Sequence, residues 1–198
     1  THTNTEWDFA RFEVSGHRWA DLSEGDYGVA ILNDCKYGYD IHENVLGLSL
    51  IKSAVRPDET ADRKVHHFTY SLYPHAGDVE HSDVQQEAVN LNQPVLVDVA
   101  EGAGQGAAFL QDGLVRTDCG HILIVTVKRA EDGDGIVVRL YEYRNRKGRA
   151  NLTFGRPVKK VTETNLCEEG GEEISVKDDG ISFDIGCYEI KTFRVWFS

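Results

Sequence analysis

The dominant spacing of apolar positions along the chain is two, the period of a strand whose successive side chains face opposite ways. Residues 9–14 read as an opening strand broken by Gly16, and residues 17–22 as a short second strand or bend. Residues 27–33 form a nearly continuous apolar run, which predicts a central strand covered on both faces. Residues 45–51 predict another strand, with Leu46, Leu48 and Leu50 on one face. After a charged loop at 57–62, residues 66–74 alternate cleanly. Phe68, Tyr70 and Leu72 point one way; His67, Thr69, Ser71 and Tyr73 point the other. The good helix candidate is 82–92, where Ser82 can cap and Val84, Ala88 and Leu91 share a face before Pro94 stops it.

Residues 95–99 read as a strand, and the glycine-rich stretch 102–106 as the boundary between two halves. That stretch lacks the Lys-Ser/Thr of a phosphate-binding loop, so it is read as a linker. The second half is a series of short strands at 109–115, 121–128, 136–143, 150–154, 158–162, 173–176, 181–185 and 188–197. A turn with two Asp-Gly signals lies at 131–135, and a basic turn at 144–149. Regular short strands with turn punctuation describe a β-sandwich. The fold class is all-β.

Composition narrows the partners. A net charge of −12 over 198 residues argues against nucleic acid and anionic membrane, both of which need a basic surface. No apolar run is long enough for a membrane-crossing helix. The chain contains no methionine, from which we expect a piece of a longer protein with a frayed start at residues 1–5. Cys35, Cys119, Cys167 and Cys187 form no Cys-x-x-Cys pair and are expected to be buried or half-buried reduced thiols. The expected origin is therefore cytoplasmic, with the vacuole or another intracellular compartment left open.

Candidate chemistry is sparse. His66, His67, His75 and His81 lack the spacing of a strand-borne metal site, because residues eight apart on a strand lie far apart. Among many carboxylates, Asp21, Asp34 and Asp40 sit best for glycosidic acid/base work, beside apolar strand ends. Solvated or turn-capping carboxylates are the default. The segment 32–40 differs in kind: an apolar strand stops abruptly in Asn33, Asp34, Lys36, Tyr37, Tyr39 and Asp40 around Gly38. Tyrosine rings offer flat faces to sugars, and Asn, Asp and Lys can bond hydroxyls. A carbohydrate-contacting edge and a tight turn that satisfies its own backbone both remain open.

Here the sequence resembles a known family. FEVSGHRWADLSE (12–24), YGVAILNDCKYGYD (27–40), PDETAD (57–62), HFTYSLYPH (67–75), VKRAEDGDGIVVRLYE (127–142) and YEIKT (188–192) occur in the order found in the C-terminal region of glycoside hydrolase family 38 α-mannosidases. The likeness is to the cytosolic, vacuolar and bacterial branch, and covers nearly the whole chain. One departure is Cys187-Tyr-Glu-Ile190, where the family usually has Pro-Phe-Glu-Ile.

The resemblance implies a retaining exo-α-mannosidase whose nucleophile, acid/base residue and divalent ion, usually zinc, belong to preceding domains. No catalytic residue and no metal ligand is carried onto this chain, and the chain alone is expected to be inactive. Residues 1–100 would be the latter part of a galactose-mutarotase-like β-supersandwich with unpaired sheet edges, and 101–198 a small C-terminal β-sandwich. The loop matching 33–40 reaches toward the catalytic domain in family members, which makes Asn33, Asp34, Lys36, Tyr37, Tyr39 and Asp40 candidates for the substrate pocket or a domain interface. Lys36 falls where other branches carry a basic residue. The implied partners are mannose-containing glycans, the N-terminal domains of the same protein, and further copies in a homo-oligomer. An autonomous carbohydrate-binding or oligomerisation module is the alternative; an exposed aromatic row would favour the former, but Trp7, Trp19 and Trp196 are scattered.

Overall fold

The structure is a computed structural model that describes residues 6–9, 13–97 and 113–198. The glycine-rich stretch 102–106 and the start at 1–5 lie outside the described residues. The chain divides into two compact units, Thr1–Val99 and Ala100–Ser198.

In the first unit a short helix α1 (Glu6–Phe9) precedes β1 (Val14–Ser15), β2 (Trp19–Glu24), β3 (Tyr27–Asn33), β4 (Gly38–His42), β5 (Val45–Ser49) and β6 (Tyr70–Ala76). A one-turn 3₁₀ helix, Val79–His81, then leads into helix α2 (Val84–Asn92). The strands form two antiparallel sheets, ordered β2-β3-β6 and β1-β4-β5. The run 27–33 is indeed the middle strand of its sheet. Register puts Trp19, Asp21, Ala30, Leu32, Tyr73 and His75 on one face. On that side Val84 and Ala88 of α2 pack with Ala30 and Leu32, flanked by Trp19, Tyr73 and Leu91. The i, i+4, i+7 stripe read from sequence is thus the packed stripe. Asp83 caps the helix by position, while Ser82 Oγ accepts the Val84 N–H at 3.3 Å.

Several expectations are corrected. Of the strand expected over 9–14, Phe9 is helical and Val14–Ser15 is the strand among the described residues, while 10–12 lie outside them. Of the strand expected over 95–99, residues 95–97 are exposed and outside any strand among the described residues, and 98–99 lie outside them. Residues 38–42, read as polar loop, form β4 and pair with β5. The 66–74 strand begins at Tyr70, and its face of Tyr70 and Leu72 is exposed while Ser71, Tyr73 and His75 turn inward. Cys35, Cys167 and Cys187 are exposed because they sit in turns; only Cys119 is half-buried.

The second unit is a sandwich. Its strands are β7 (Val115–Thr117), β8 (Ile122–Arg129), β9 (Ile136–Glu142), β10 (Gly148–Phe154), β11 (Val158–Thr164), β12 (Glu172–Ile174), β13 (Val176–Lys177), β14 (Gly180–Ile185) and β15 (Ile190–Phe197). They form a sheet β13-β14-β10-β7 and a sheet β12-β11-β15-β9-β8. Alternate residues of both meet in one core that includes Val138, Leu140, Leu152, Phe183, Phe193 and Val195. Phe183 and Phe193 join the layers with centroids 4.8 Å apart. The double Asp-Gly turn connects β8 to β9, with Gly133 at φ 80° and Gly135 at φ 91°. Glu142 ends β9 fully buried, its carboxylate accepting the N–H groups of Arg144 at 2.7 Å and Tyr188 at 2.9 Å.

Beneath α2, His75 Nε2 meets Asp21 Oδ2 at 2.7 Å, both side chains 5% exposed, and Ser23 Oγ donates to the same carboxylate. The Ser23 hydroxyl donates to the Asp21 carboxylate rather than to the imidazole, which is not the order of a nucleophile bonded to its base. Gly28 makes room for the trio: a Cβ there would stand 2.4 Å from His75 Cε1 and 2.6 Å from Ser23 Oγ. Gly28→Ala should therefore destabilise the first unit by about 1–3 kcal/mol, as overpacking against a buried polar pair does. Urea unfolding followed by tryptophan fluorescence checks it; a loss under about 0.5 kcal/mol would show that the pair relaxes freely.

Candidate functional site

The end of β3 organises the candidate segment. Asn33 is 1% exposed, and each of its polar groups is bonded. Its backbone N–H donates to the Arg18 carbonyl at 2.8 Å, and its carbonyl accepts from Asn92 Nδ2 of α2 at 3.0 Å. Its side-chain Oδ1 accepts the Lys36 N–H at 2.6 Å, three residues on, and Nδ2 donates to Tyr39 Oη. Tyr39, 1% exposed on β4, lies against Gly16, where a Cβ would stand 3.1 Å from its ring. Burial pushes the Tyr39 phenol up, against the smaller effect of the Asn33 hydrogen bond, so it remains a neutral hydroxyl. Both residues work inward. For these two, the hydrogen bonds are those of a turn that satisfies its own polar groups.

The residues between them face outward. Asp34 Oδ1 accepts the Thr69 N–H at 3.0 Å, and the Asp34 N–H donates to the Thr69 carbonyl at 3.2 Å. This double strap pins the loop to the approach of β6. The Cys35 thiol, then the Thr69 N–H, hold the Asp34 carboxyl below its ordinary range. Asp34 in turn pushes the Cys35 thiol up, which leaves it protonated rather than nucleophilic. Lys36 Nζ lies 4.9 Å from the centre of the Phe68 ring. Tyr37, 54% exposed, leans on His17 with centroids 4.9 Å apart, and its carbonyl accepts the Gly16 N–H at 3.0 Å. Asp40 alternates to the other face of β4 from Tyr39 and lies over Gly47, where a Cβ would come within 2.1 Å of its Oδ1.

The segment thus brings Asp34, Lys36 and Tyr37 to one outward loop, while Asn33 and Tyr39 form its base and Asp40 sits apart. Sequence reasoning missed His17, Phe68 and Tyr70 as neighbours of that loop. The available signal was the alternation at 66–74, which placed Phe68 and Tyr70 on one face without saying which face is open. Of the other candidates, Asp21 is buried with His75, His66 Nε2 meets the Asp62 carbonyl at 2.8 Å, and His81 Nδ1 meets Asp78 at 2.7 Å. His66, His75 and His81 thus each have a different partner. Among the described residues no three His, Cys, Asp or Glu side chains converge to hold a metal, so we assign no ligand here and derive no step through one.

The sequence matches the model of the glycosyl hydrolases family 38 C-terminal domain over residues 1–60 and that of the family 38 C-terminal beta sandwich domain over 121–193. The chain belongs to the C-terminal β-sandwich region of glycosyl hydrolase family 38. Alpha-mannosidase G of Dictyostelium discoideum is 41% identical over 197 residues, covering 98% of this chain and 18% of that protein. Alpha-mannosidase 2C1 of Homo sapiens is 35% identical over 195 residues, covering 96% of this chain and 18% of that protein. An alpha-mannosidase structure from Enterococcus faecalis V583 superposes with a TM-score of 0.72 at 19% identity, over 92% of this chain and 21% of that one, which speaks for the fold. The family-38 chain spans about a fifth of the length of the curated relatives it matches.

The strap gives a pH signature. A carboxylate with a lowered folded-state pKa contributes stability that is present above its unfolded value and lost as pH falls through its folded value. The Thr69 amide proton in NMR spectra should therefore titrate with a midpoint below the ordinary Asp value of about 3.9, and Asp34→Ala should abolish that titration. A midpoint at or above the ordinary value would show that the strap does not hold the ionised form.

Proposed function

We propose that this chain is a non-catalytic β region of a retaining exo-α-mannosidase, and that Asp34, Lys36 and Tyr37 line the wall of its mannose pocket or hold the interface with the catalytic domain. Asn33, Tyr39 and Asp40 belong to this candidate set as the base and flank of the loop. The observation that carries the reading is the outward presentation of a cation, a carboxylate and a tyrosine on a base that is fully hydrogen-bonded, in a chain nearly all of which aligns with proteins named α-mannosidases. A wall of this kind supplies positioned donors and a flat apolar surface to sugar hydroxyls and ring carbons. It contributes orientation rather than bond cleavage.

In this reading the nucleophile, the acid/base residue and a divalent ion such as zinc are supplied by other domains of the same polypeptide, which act with this region on mannose-containing glycans. The ion would bind sugar hydroxyls there; this chain would orient the sugar and keep water from one side of it. Residues 1–100 would be the latter part of a galactose-mutarotase-like supersandwich and 101–198 the terminal sandwich. The division into units at Val99 and Ala100 supports that boundary. A cytoplasmic or vacuolar site of action and homo-oligomeric assembly complete the proposal. No helix of the described residues is long and apolar enough to cross a membrane. A free-standing carbohydrate-binding module has less support. Trp19 packs under α2 with Nε1 donating to Gln85 at 2.6 Å, and Lys160 and Arg194 lie 5.5 and 5.0 Å from the ring of Trp196.

The test is Lys36→Ala in the full-length protein, assayed on an aryl α-mannoside. Loss of a charged hydrogen-bond donor to substrate should lower kcat/KM by about tenfold or more with an unchanged melting temperature. A normal kcat/KM would remove the functional role of the loop.

A further inference from the structure

In the second unit the connection from β11 to β12 leaves at Thr164, crosses the outer face of β15 and β9 to reach β8, and returns at Glu172, which pairs with Glu163. Residues 165–169 form a knuckle closed by its own bonds. Asn165 Oδ1 accepts the N–H groups of Cys167 and Glu169, both at 2.9 Å. The Asn165 N–H donates to the Glu169 carbonyl at 3.2 Å, and the Glu168 N–H to the Asn165 carbonyl at 3.1 Å. Charged groups fasten the knuckle to the sheet. Glu168 Oε1 lies 2.7 Å from Lys128 Nζ of β8, and Glu168 Oε2 accepts the Glu131 N–H at 2.9 Å. Arg139 of β9 donates from Nη2 to the Leu166 carbonyl at 2.7 Å, and from Nε to Thr192 Oγ1 of β15 at 3.0 Å. The apolar side chains of the knuckle, Leu166 and Cys167, are exposed.

Val138 and Phe193 pack in the sandwich core, so their neighbours Val137 and Thr192 face the other way. Yet Val137 is 0% and Thr192 2% exposed. The knuckle, with the side chains that hold it, covers this strip. Gly170 and Gly171 follow the knuckle at φ 69° and 133°, and a Cβ at Gly171 would stand 2.7 Å from the Glu163 carbonyl oxygen, so the return needs glycine.

We propose that residues 165–169 are a charge-latched lid, which swings as one piece about Gly170 and Gly171 and uncovers Val137 and Thr192 while the sandwich stays folded. The knuckle keeps its internal bonds when it leaves. Its attachment is polar rather than buried and apolar, and such segments open at a small part of the cost of global unfolding. The Lys128 ammonium, then the Glu131 N–H, hold the Glu168 carboxyl below its ordinary range, so the latch is ionised at neutral pH. The open form presents Val137 beside Lys128 and Arg139 freed from the lid. The lid is independent of the mannosidase reading.

The experiment places a thiol on either side of β9 in the full-length protein. Val137→Cys puts it under the lid, and Val138→Cys puts it in the core; in both, a small apolar side chain replaces another. Labelling by iodoacetamide is followed peptide by peptide, which separates these thiols from the native ones. The thiol at 137 should react about tenfold faster or more than the thiol at 138. Glu168→Ala should quicken labelling at 137 by a further factor of about ten, the order expected for loss of a charged hydrogen bond, and leave 138 unchanged. Equal rates at the two positions would overturn the proposal, because the strip would then open only with the whole sandwich. So would a Glu168→Ala variant that quickens both positions alike, or neither. Hydrogen exchange at residue resolution needs no added thiol. In Glu168→Ala the Glu131 amide should exchange about tenfold faster, while the Cys167 and Glu169 amides, bonded inside the knuckle, keep the parent rate. Faster exchange at all three would show a segment that melts rather than swings, and the lid would be overturned.

Discussion

A single buried amide fixes the functional end of the first unit. Asn33 terminates the middle strand of its sheet with its polar groups buried. Four different partners take them up: the turn at Arg18, helix α2 through Asn92, the loop amide at Lys36, and Tyr39 of the next strand. In a dry environment each such bond is worth far less than the penalty of leaving its group unmet, about 1–3 kcal/mol per orphan. The four elements are therefore positioned together or not at all. The direction of the Lys36 and Tyr37 side chains is a by-product of that requirement.

The same logic explains why the outward groups are presented in fixed order. Asp34 bonds Thr69 through both its Oδ1 and its N–H, which makes this exposed residue a brace for the loop. Rigid presentation by inward bonds is how a loop can offer a cation and two kinds of ring without the entropy cost of ordering them at binding. The buried Asp21, Ser23 and His75 under α2 play the matching part on the opposite face of the sheet.

Much of this was legible in the residues. The nearly continuous apolar run identified β3 to the residue, and the stripe Val84, Ala88 and Leu91 identified the helix and its packed side. The Asp-Gly pairs located the β8–β9 turn, and the regular spacing of 136–197 gave the second unit's strands to within a few residues. The failures share a cause. Alternation says that two faces exist but not which is covered, so Tyr70 and Leu72 could not be distinguished from a core face without knowing that α2 lies over Tyr73 and His75. By sequence, Tyr39 fits a sugar-contacting edge or a tight turn equally well. It is buried because β4 pairs with β5, a contact that no local pattern announces. The segment 33–40 was correctly singled out as dense in hydrogen-bonding groups, and the division of labour within it depended on tertiary partners as distant in sequence as Asn92.

The carboxylate of Glu142 has a consequence for how the second unit comes into being. It is fully buried, and one of its partners, the Tyr188 N–H, lies 46 residues further along the chain. Strand β15, which follows that turn, sits between β9 and β11 and joins the two halves of the five-stranded sheet. Until it docks, β9 and β11 have no common neighbour, and a charge destined for the interior has half its hydrogen bonds. Local hairpins such as β8–β9 can form early at little cost in loop entropy, but they cannot consolidate. Closure of this sheet therefore requires β15 to enter its centre, where it pairs with both β9 and β11 and brings the Tyr188 N–H to the buried Glu142 carboxylate.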